Sequence, residues 1–294
     1  MSFDYYFAGA TTPRLEQCVI EIGGNILKSF YTDKVLLKRW FEHKKNGWTG
    51  KLMIDNGEFS MHRHGGTIDI DEYIQYLNDN DEYIDYAVAL DKIPGIWGSP
   101  HTRYDIDSAS EITYKNYLYM CEHCKSPHKL LPVFHQEERM SALERFLDIE
   151  GLEYICIAGR KDLTRESRKA FYAGCFDVIS RSNNPNIKVH CLGSGTLSDM
   201  IEFPFYSSDS TSCNMVAANG NIFVNDTVVY VGDGGKALLD EERSIILEIC
   251  ERSGINFENL NNYQDRAIIN YKYMYAKSRV VSYVARNLKK RRLF

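Results

Sequence analysis

Residues 204–223 read PFYSSDSTSCNMVAANGNIF. The first six, Pro204 to Asp209, are an apolar and aromatic run that closes on a carboxylate. This run is the eighth of its kind, and the count decides the fold. Upstream lie YYFAG (Tyr5 to Gly9), NILKSFY (Asn25 to Tyr31), KLMID (Lys51 to Asp55) and DYAVALD (Asp85 to Asp91). LLPVFH (Leu130 to His135), YICIAG (Tyr154 to Gly159) and KVHCLG (Lys188 to Gly193) follow. Short apolar runs of this length predict buried strands. Between them stand stretches of helical period: DKVLLKRWFEHKK, DIDEYIQYLND, SASEITYKNYLYMCEH and ERMSALERFLDIE. Ser108 or Ser110 is placed to cap the third.

Strands alternating with helices predict a parallel α/β fold. Eight strands close a (β/α)8 TIM barrel, and about 210 residues suffice for one. A doubly wound open sheet is the alternative, but no Gly-rich phosphate turn follows the first strand. After Asp209 the pattern changes. NIFV and TVVYVG predict a hairpin around Asn225 and Asp226. A helix is expected at about Asp240 to Ser253 and a long basic one at about Asp265 to Lys290. The expected organisation is a barrel over residues 1–223 and a C-terminal hairpin and helical, basic extension, 224–294, packed on it.

The 294 residues are 44% hydrophobic and 26% charged, the balance of a soluble globular chain. No run of about 18 apolar residues predicts a membrane span. MSFDYYFAGATTP lacks the basic and apolar regions of a signal peptide. The eight scattered cysteines read as reduced thiols, so a cytoplasmic protein is expected. The net charge of −5 hides an asymmetry. Asp69 to Asp91 carries eight acidic residues and no basic one, while Asp265 to Phe294 carries nine Lys or Arg and one acid. A basic end on an acidic chain suggests a polyanion partner, nucleic acid first; a solvated tail is the plainer alternative.

Barrel chemistry gathers at the C-terminal strand ends. Those ends read Asp55, Asp91, His135, Gly159, Gly193 and Asp209. Aspartate is disfavoured in strands, so three at one edge ask for a reason. Capping the next helix explains a single case. It explains Asp209 poorly, since no helix is expected after SSDSTSCN. Paired carboxylates at a barrel mouth suit glycosidic-bond chemistry, one attacking the anomeric carbon and the other moving protons. The hydroxyls of Ser207, Ser208, Ser210 and Thr211 are placed to donate to Asp209 and hold it ionised.

The order of motifs resembles a known family. MIDNGEFS resembles the Asp-Ser-Gly-Gly/Ala-aromatic-Gln/Ser motif of the tRNA-guanine transglycosylases and their phage relatives. ALDKIPG resembles the segment with their base-reading aspartate. LLPVFHQ, YICIAG, KVHCLGSG and PFYSSDSTS follow in family order, the last two being most similar to phage-encoded DNA-guanine transglycosylases, the DpdA-like branch. The resemblance covers about Tyr5 to Phe223.

The resemblance implies a pentosyltransferase. It would replace guanine in DNA with a 7-deazaguanine of the preQ0 type, modifying a phage genome in the host cytoplasm and protecting it from restriction. Asp209 would be the nucleophile on C1′, and Asp55 the general acid/base. Asp91 would accept hydrogen bonds from the base. Phe59 and Leu192 would sandwich it. His135 lies where the tRNA enzymes use a glutamine, and the backbone at Ala158, Gly159 and Gly193 would face the base. No cofactor and no metal are implied. A guanine in duplex DNA must also leave the stack. Lys272, Lys277, Arg279, Arg286, Lys289, Lys290, Arg291 and Arg292 would hold phosphates, with Tyr271, Tyr273, Tyr275 and Tyr283 interleaved.

The chain departs from the family pattern in three ways. Asn56 and Glu58 replace small residues after Asp55. Only Cys250 follows Cys213, so the zinc site of the tRNA enzymes cannot be made. The chain is also shorter. Base exchange on tRNA stays open as a second reading. A metal-dependent amidohydrolase barrel is a third, suggested by His62-x-His64 with His135 and Asp209. A non-catalytic nucleic-acid-binding barrel is a fourth. Cys121, Cys124 and His128 have zinc-like spacing at a helix end, with no second pair. Gly193-Ser194-Gly195 is a lone Gly-x-Gly. The tyrosines of the last helix are equally well explained as one core face.

Overall fold

A computed structural model describes residues 3–96, 98–160, 162–193, 196–236 and 238–291, with 197 and 282–291 by backbone alone. Nine strands form one parallel sheet: β1 (Asp4–Phe7), β2 (Asn25–Ser29), β3 (Leu52–Asp55), β4 (Tyr86–Val88), β5 (Leu130–Leu131), β6 (Val133–His135), β7 (Tyr154–Ala158), β8 (Lys188–Leu192) and β9 (Ser207–Ser210). Their order is β5-β4-β3-β2-β1-β9-β8-β7-β6. Helices follow most strands: α1 (Pro13–Glu21), α2 (Lys34–Lys45), α3 (Glu58–Arg63), α4 (Ile70–Asp79), α5 (Arg103–His123), α6 (Met140–Leu147), α7 (Arg165–Arg181), α8 (Leu197–Glu202) and α9 (Ser212–Ala218). The fold is α/β and TIM-barrel-like.

Nine strands appear where eight were expected because Pro132 divides LLPVFH. Proline has no N–H to give a ladder. Its neighbours' carbonyls still pair. Leu131 O accepts from Ala89 N at 2.9 Å, and Pro132 O from Cys156 N at 2.8 Å. Consecutive residues thus bond towards β4 on one side and β7 on the other. The first and last strands of the sheet order are the two halves of one segment.

By contacts the chain falls into two compact units, Leu27–Asp209 and Met1–Ile26 with Ser210–Phe294. This division lies elsewhere than the change of sequence pattern at residue 223. In the first unit the strands bury Leu52, Ile54, Val88, Phe134, Ile155, Ile157 and Val189. Their near-continuous apolar runs are those of a parallel sheet covered on both faces. β7 and β8 pair over five positions, from Tyr154 opposite Lys188 to Ala158 opposite Leu192. β8 passes the register to β9, with His190 opposite Ser207.

Helix caps explain several boundaries. Asp69 accepts from the Asp71 and Glu72 amides at the start of α4. Helix α5 begins at Thr102, in a reciprocal capping box with Asp105. It therefore starts earlier than the expected cap at Ser108 or Ser110, both of which lie inside it.

The second unit holds α1, α9, a hairpin of β10 (Asn221–Val224) and β11 (Thr227–Tyr230), α10 (Asp240–Ser253) and α11 (Tyr263–Arg291). Asn225 and Asp226 both take positive φ, as the two-residue hairpin turn demands. Asn270 ties the unit together. Its amide donates to Cys213 O at 3.1 Å, and its oxygen accepts from Phe223 N at 2.8 Å. Among the described residues no helix is long and apolar enough to cross a membrane.

Candidate active site

Asp55, Asp91, His135 and Asp209 all belong to the Leu27–Asp209 unit, at the C-terminal ends of its strands. Asp55 closes β3. The chain then turns on Gly57, whose φ of +86° places it in the left-handed region. A Cβ there would stand 2.5 Å from Tyr31 Cβ, so glycine is required twice over. Burial, and then the charges of Asp91 and Asp209, push the Asp55 carboxyl up to about 7. The Gly57 N–H pulls the other way and is outweighed.

Asp91 lies three residues beyond β4, which is shorter than the DYAVALD run. Asn56 holds it there. The Asn56 amide donates to Asp91 Oδ1 at 2.9 Å and to Ala89 O at 2.8 Å, while its oxygen accepts from Glu58 N at 2.8 Å. His135 Nε2, at the end of β6, lies 2.7 Å from Asp91 Oδ2. Burial pushes the Asp91 carboxyl up, but the hydrogen bond and charge of His135 and the Asn56 amide outweigh it, leaving it below the usual range. Burial in turn depresses His135, and Asp91 more than restores it, so the imidazole sits above its usual value. Behind this pair Glu138 accepts from His135 N at 3.1 Å and from Ser110 Oγ at 2.6 Å.

Asp209 is the third residue of β9 and is buried. Its Oδ1 accepts from Gly193 N at 2.5 Å and faces His190 Nε2 at 3.3 Å. On the other side of the ring, His190 Nδ1 lies 2.5 Å from Ser207 Oγ, which also bonds to the Tyr154 hydroxyl. The expected hydroxyl nest is arranged differently. Ser207 turns to His190 and Tyr154, Ser208 Oγ bonds to Asp209 O at 3.4 Å, and Ser210 Oγ accepts from Ser212 N at 3.0 Å. Thr211 Oγ1 faces Met215 Sδ. A helix does follow Asp209, contrary to expectation: α9 starts at Ser212 with Thr211 at its cap position. Asp209 is not its cap. The run SCNMVAA is too short and too uniformly small or apolar to declare a helical period.

Other expected positions are also placed. Phe59, in the first turn of α3, is 57% exposed, and Leu192 ends β8 half-buried. Ala158 O is taken by Gln136 N at 2.9 Å. A Cβ on Gly159 would meet Tyr172 Oη at 2.5 Å. Gly193 spends its N–H on Asp209. The charge of Glu58 is neutralised in place: its buried carboxylate pairs with Lys92 Nζ at 2.8 Å and accepts from Ile68 N at 3.2 Å.

His62 lies in α3 and His64 just after it. Burial, with Lys92 next, lowers the His62 pKa, and His64 Nδ1 bonds to Ser60 O at 2.7 Å. Cys121 and Cys124 carry thiols pushed up by burial. Among the described residues no group of three or more His, Cys, Asp or Glu side chains could hold a metal ion. None of the eight cysteines is in a disulfide.

In the other unit, two of the expected phosphate-binding lysines are already engaged. Lys272 donates to Ser253 O and Lys277 to Asp226, each at 2.8 Å. Arg279 is exposed. Tyr271 is core, against Phe7 with ring centroids 4.9 Å apart, and Tyr273 stacks on Phe223 at 5.5 Å. The side chains of Tyr283, Arg286, Lys289, Lys290 and Arg291, and all of Arg292, lie outside the described residues, as do Ser194 and Gly195.

Sequence reading missed His190, the clamp made by Asn56, and Glu138. For His190 a signal was there: a histidine in the middle of an apolar strand, two residues before the strand's end. Ser207 stands two residues before Asp209 in the next strand, so strand alternation sends both serine and aspartate to one side.

No family model matches this sequence, and no curated protein matches it. Among solved structures it is similar to a chain from Aquifex aeolicus VF5 described only as a structural study. That chain is 8% identical, with a TM-score of 0.41, over 72% of this chain and 84% of the other.

Proposed function

We propose that this protein is a base-exchange transglycosylase that replaces guanine in DNA with a 7-deazaguanine base through a covalent Asp209 glycosyl intermediate. One observation carries the reading: Asp55, held near pKa 7, stands in the field of two other carboxylates, Asp91 and Asp209. Asp55 raised and Asp91 lowered are two carboxyls whose environments push them apart, one fitted to carry a proton and the other to stay ionised.

In the first displacement, Asp209 forms a bond to C1′ and the bond from C1′ to guanine breaks. The electron pair leaves with the base, which takes the proton of Asp55. In the second, Asp55 accepts the proton of the incoming base as its nitrogen attacks C1′. The C1′–O bond breaks as the C1′–N bond forms, and its electrons return to Asp209. Two inversions retain the anomeric configuration. Asp55 starts and ends protonated, and a group near pKa 7 does both at neutral pH. Asp91, kept ionised beside His135, accepts hydrogen bonds from the N–H edge of the base. Phe59 offers an exposed ring for stacking.

The test is incubation with guanine-containing DNA, and separately with tRNA, plus a 7-deazaguanine base, read by nucleoside mass spectrometry. Incorporation into DNA that disappears in Asp209→Ala and Asp55→Asn is the expected result. Incorporation into tRNA alone would keep the chemistry and change the substrate. Incorporation into neither would overturn the reading.

A further inference from the structure

We infer that His190 is a positioning residue for Asp209, and that a buried proton chain Tyr154–Ser207–His190 fixes which carboxylate oxygen reacts. The chain rests on geometry. Tyr154, Ser207 and His190 are all buried. The Tyr154 hydroxyl bonds to Ser207 Oγ, Ser207 Oγ lies 2.5 Å from His190 Nδ1, and His190 Nε2 lies 3.3 Å from Asp209 Oδ1.

A carboxylate only accepts, so the nitrogen facing it must carry the proton. With the proton on Nε2, Nδ1 accepts from the Ser207 hydroxyl. Ser207 then accepts from Tyr154. Each group donates once towards Asp209, and the order of protons is set by the carboxylate at its end. The register that places His190 opposite Ser207 builds the link directly into the sheet.

The two oxygens of Asp209 are not equivalent. Both contacts, from Gly193 N at 2.5 Å and from His190 Nε2, fall on Oδ1. The inference rests here on the proposed base exchange: Oδ2 is the oxygen that bonds to C1′. Oδ1 then becomes the carbonyl oxygen of the glycosyl ester. Donors fixed on Oδ1 stabilise the carboxylate as it is released in the second displacement, when negative charge returns to it. His190 touches neither sugar nor base in this arrangement and acts through Asp209.

Two measurements test this. The first is independent of activity: nitrogen-15 NMR of the full chain labelled at histidine, at neutral pH, with His190→Gln used for assignment. A ring protonated on Nε2 alone is expected. A ring protonated on Nδ1 alone, or on both nitrogens, would overturn the proton order whether or not the protein exchanges bases. The second is kinetic and presupposes base exchange by the unaltered protein. His190→Ala should lower kcat about tenfold to a hundredfold with little change in KM for the base. His190→Gln, which keeps a donor at the Nε2 position, should restore most of the loss. Equal loss in both variants, or a change confined to KM, would overturn the positioning role. Exchange absent from the unaltered protein, with the Nε2 proton found, would sink the proposed function and leave the proton chain standing.

Discussion

His135 Nε2 and Asp91 Oδ2 are 2.7 Å apart, and each holds the other's charge in place: the imidazole is raised above its usual value and the carboxyl lowered below its own. The stabilisation from a raised histidine is complete below its unfolded value near 6.5 and fades as pH rises through the raised folded value. The lowered aspartate contributes above its unfolded value and loses that contribution in acid. His135→Gln should therefore cost about 1–3 kcal/mol near pH 6 and less at pH 9. Urea unfolding across that range checks it. A cost independent of pH would mean that the imidazole is not charged in the pair.

Asp55 runs the opposite way. Its folded pKa of about 7 lies above the unfolded value, so the folded state binds the extra proton and this group lowers stability as pH rises from about 4 to 7. Asp55→Asn removes that ionisation. The variant should be more heat-stable than the unaltered protein at pH 8 and nearly equal to it at pH 4, by thermal unfolding. Base exchange should be lost at every pH.

Phe59 is 57% exposed, so its ring adds little to the core. Phe59→Ala should leave the thermal midpoint within about 2 °C, as for most surface changes. If the ring stacks on the base, KM for the 7-deazaguanine should rise about tenfold to a hundredfold. An unchanged KM would assign the ring to some other partner.

Gly57 joins a left-handed φ of +86° to a close approach to Tyr31. Gly57→Ala should destabilise the chain by about 2 kcal/mol or more, combining backbone strain with displacement of Tyr31. It should also shift the pH at which Asp55 titrates, because the Gly57 N–H faces that carboxyl. Tracking the Asp55 carboxyl by carbon-13 NMR in both proteins reads the second effect.

Much of the frame was legible in the sequence because parallel strands buried on both faces write themselves as continuous apolar runs. NIFV and TVVY around Asn225 and Asp226 were legible because the turn chemistry is local. The relations that build the site are not local. Asn56 reads as a departure from a motif, yet its amide spans from β3 to Asp91. Glu58 reads as a stray charge, yet Lys92 and the Ile68 amide neutralise it in place. His190 is one polar letter in an apolar strand, and its meaning depends on which residue of β9 lies opposite. The basic C-terminal run illustrates the converse: a string of Lys and Arg does not reveal that Lys272 and Lys277 are already bonded within the protein.

The proline that divides LLPVFH also shapes the two margins of the sheet. An open sheet leaves a row of unpaired amides and carbonyls at each margin, a template on which another chain can add a strand. Here the two marginal strands end and begin at Leu131 and Val133, with one residue between them, and the carbonyls of Leu131 and Pro132 point to opposite neighbours. The residue at the seam has no amide hydrogen to offer. At this seam the segment's own carbonyls are already bonded, Leu131 O to Ala89 N and Pro132 O to Cys156 N, and Pro132 brings no N–H to a further ladder.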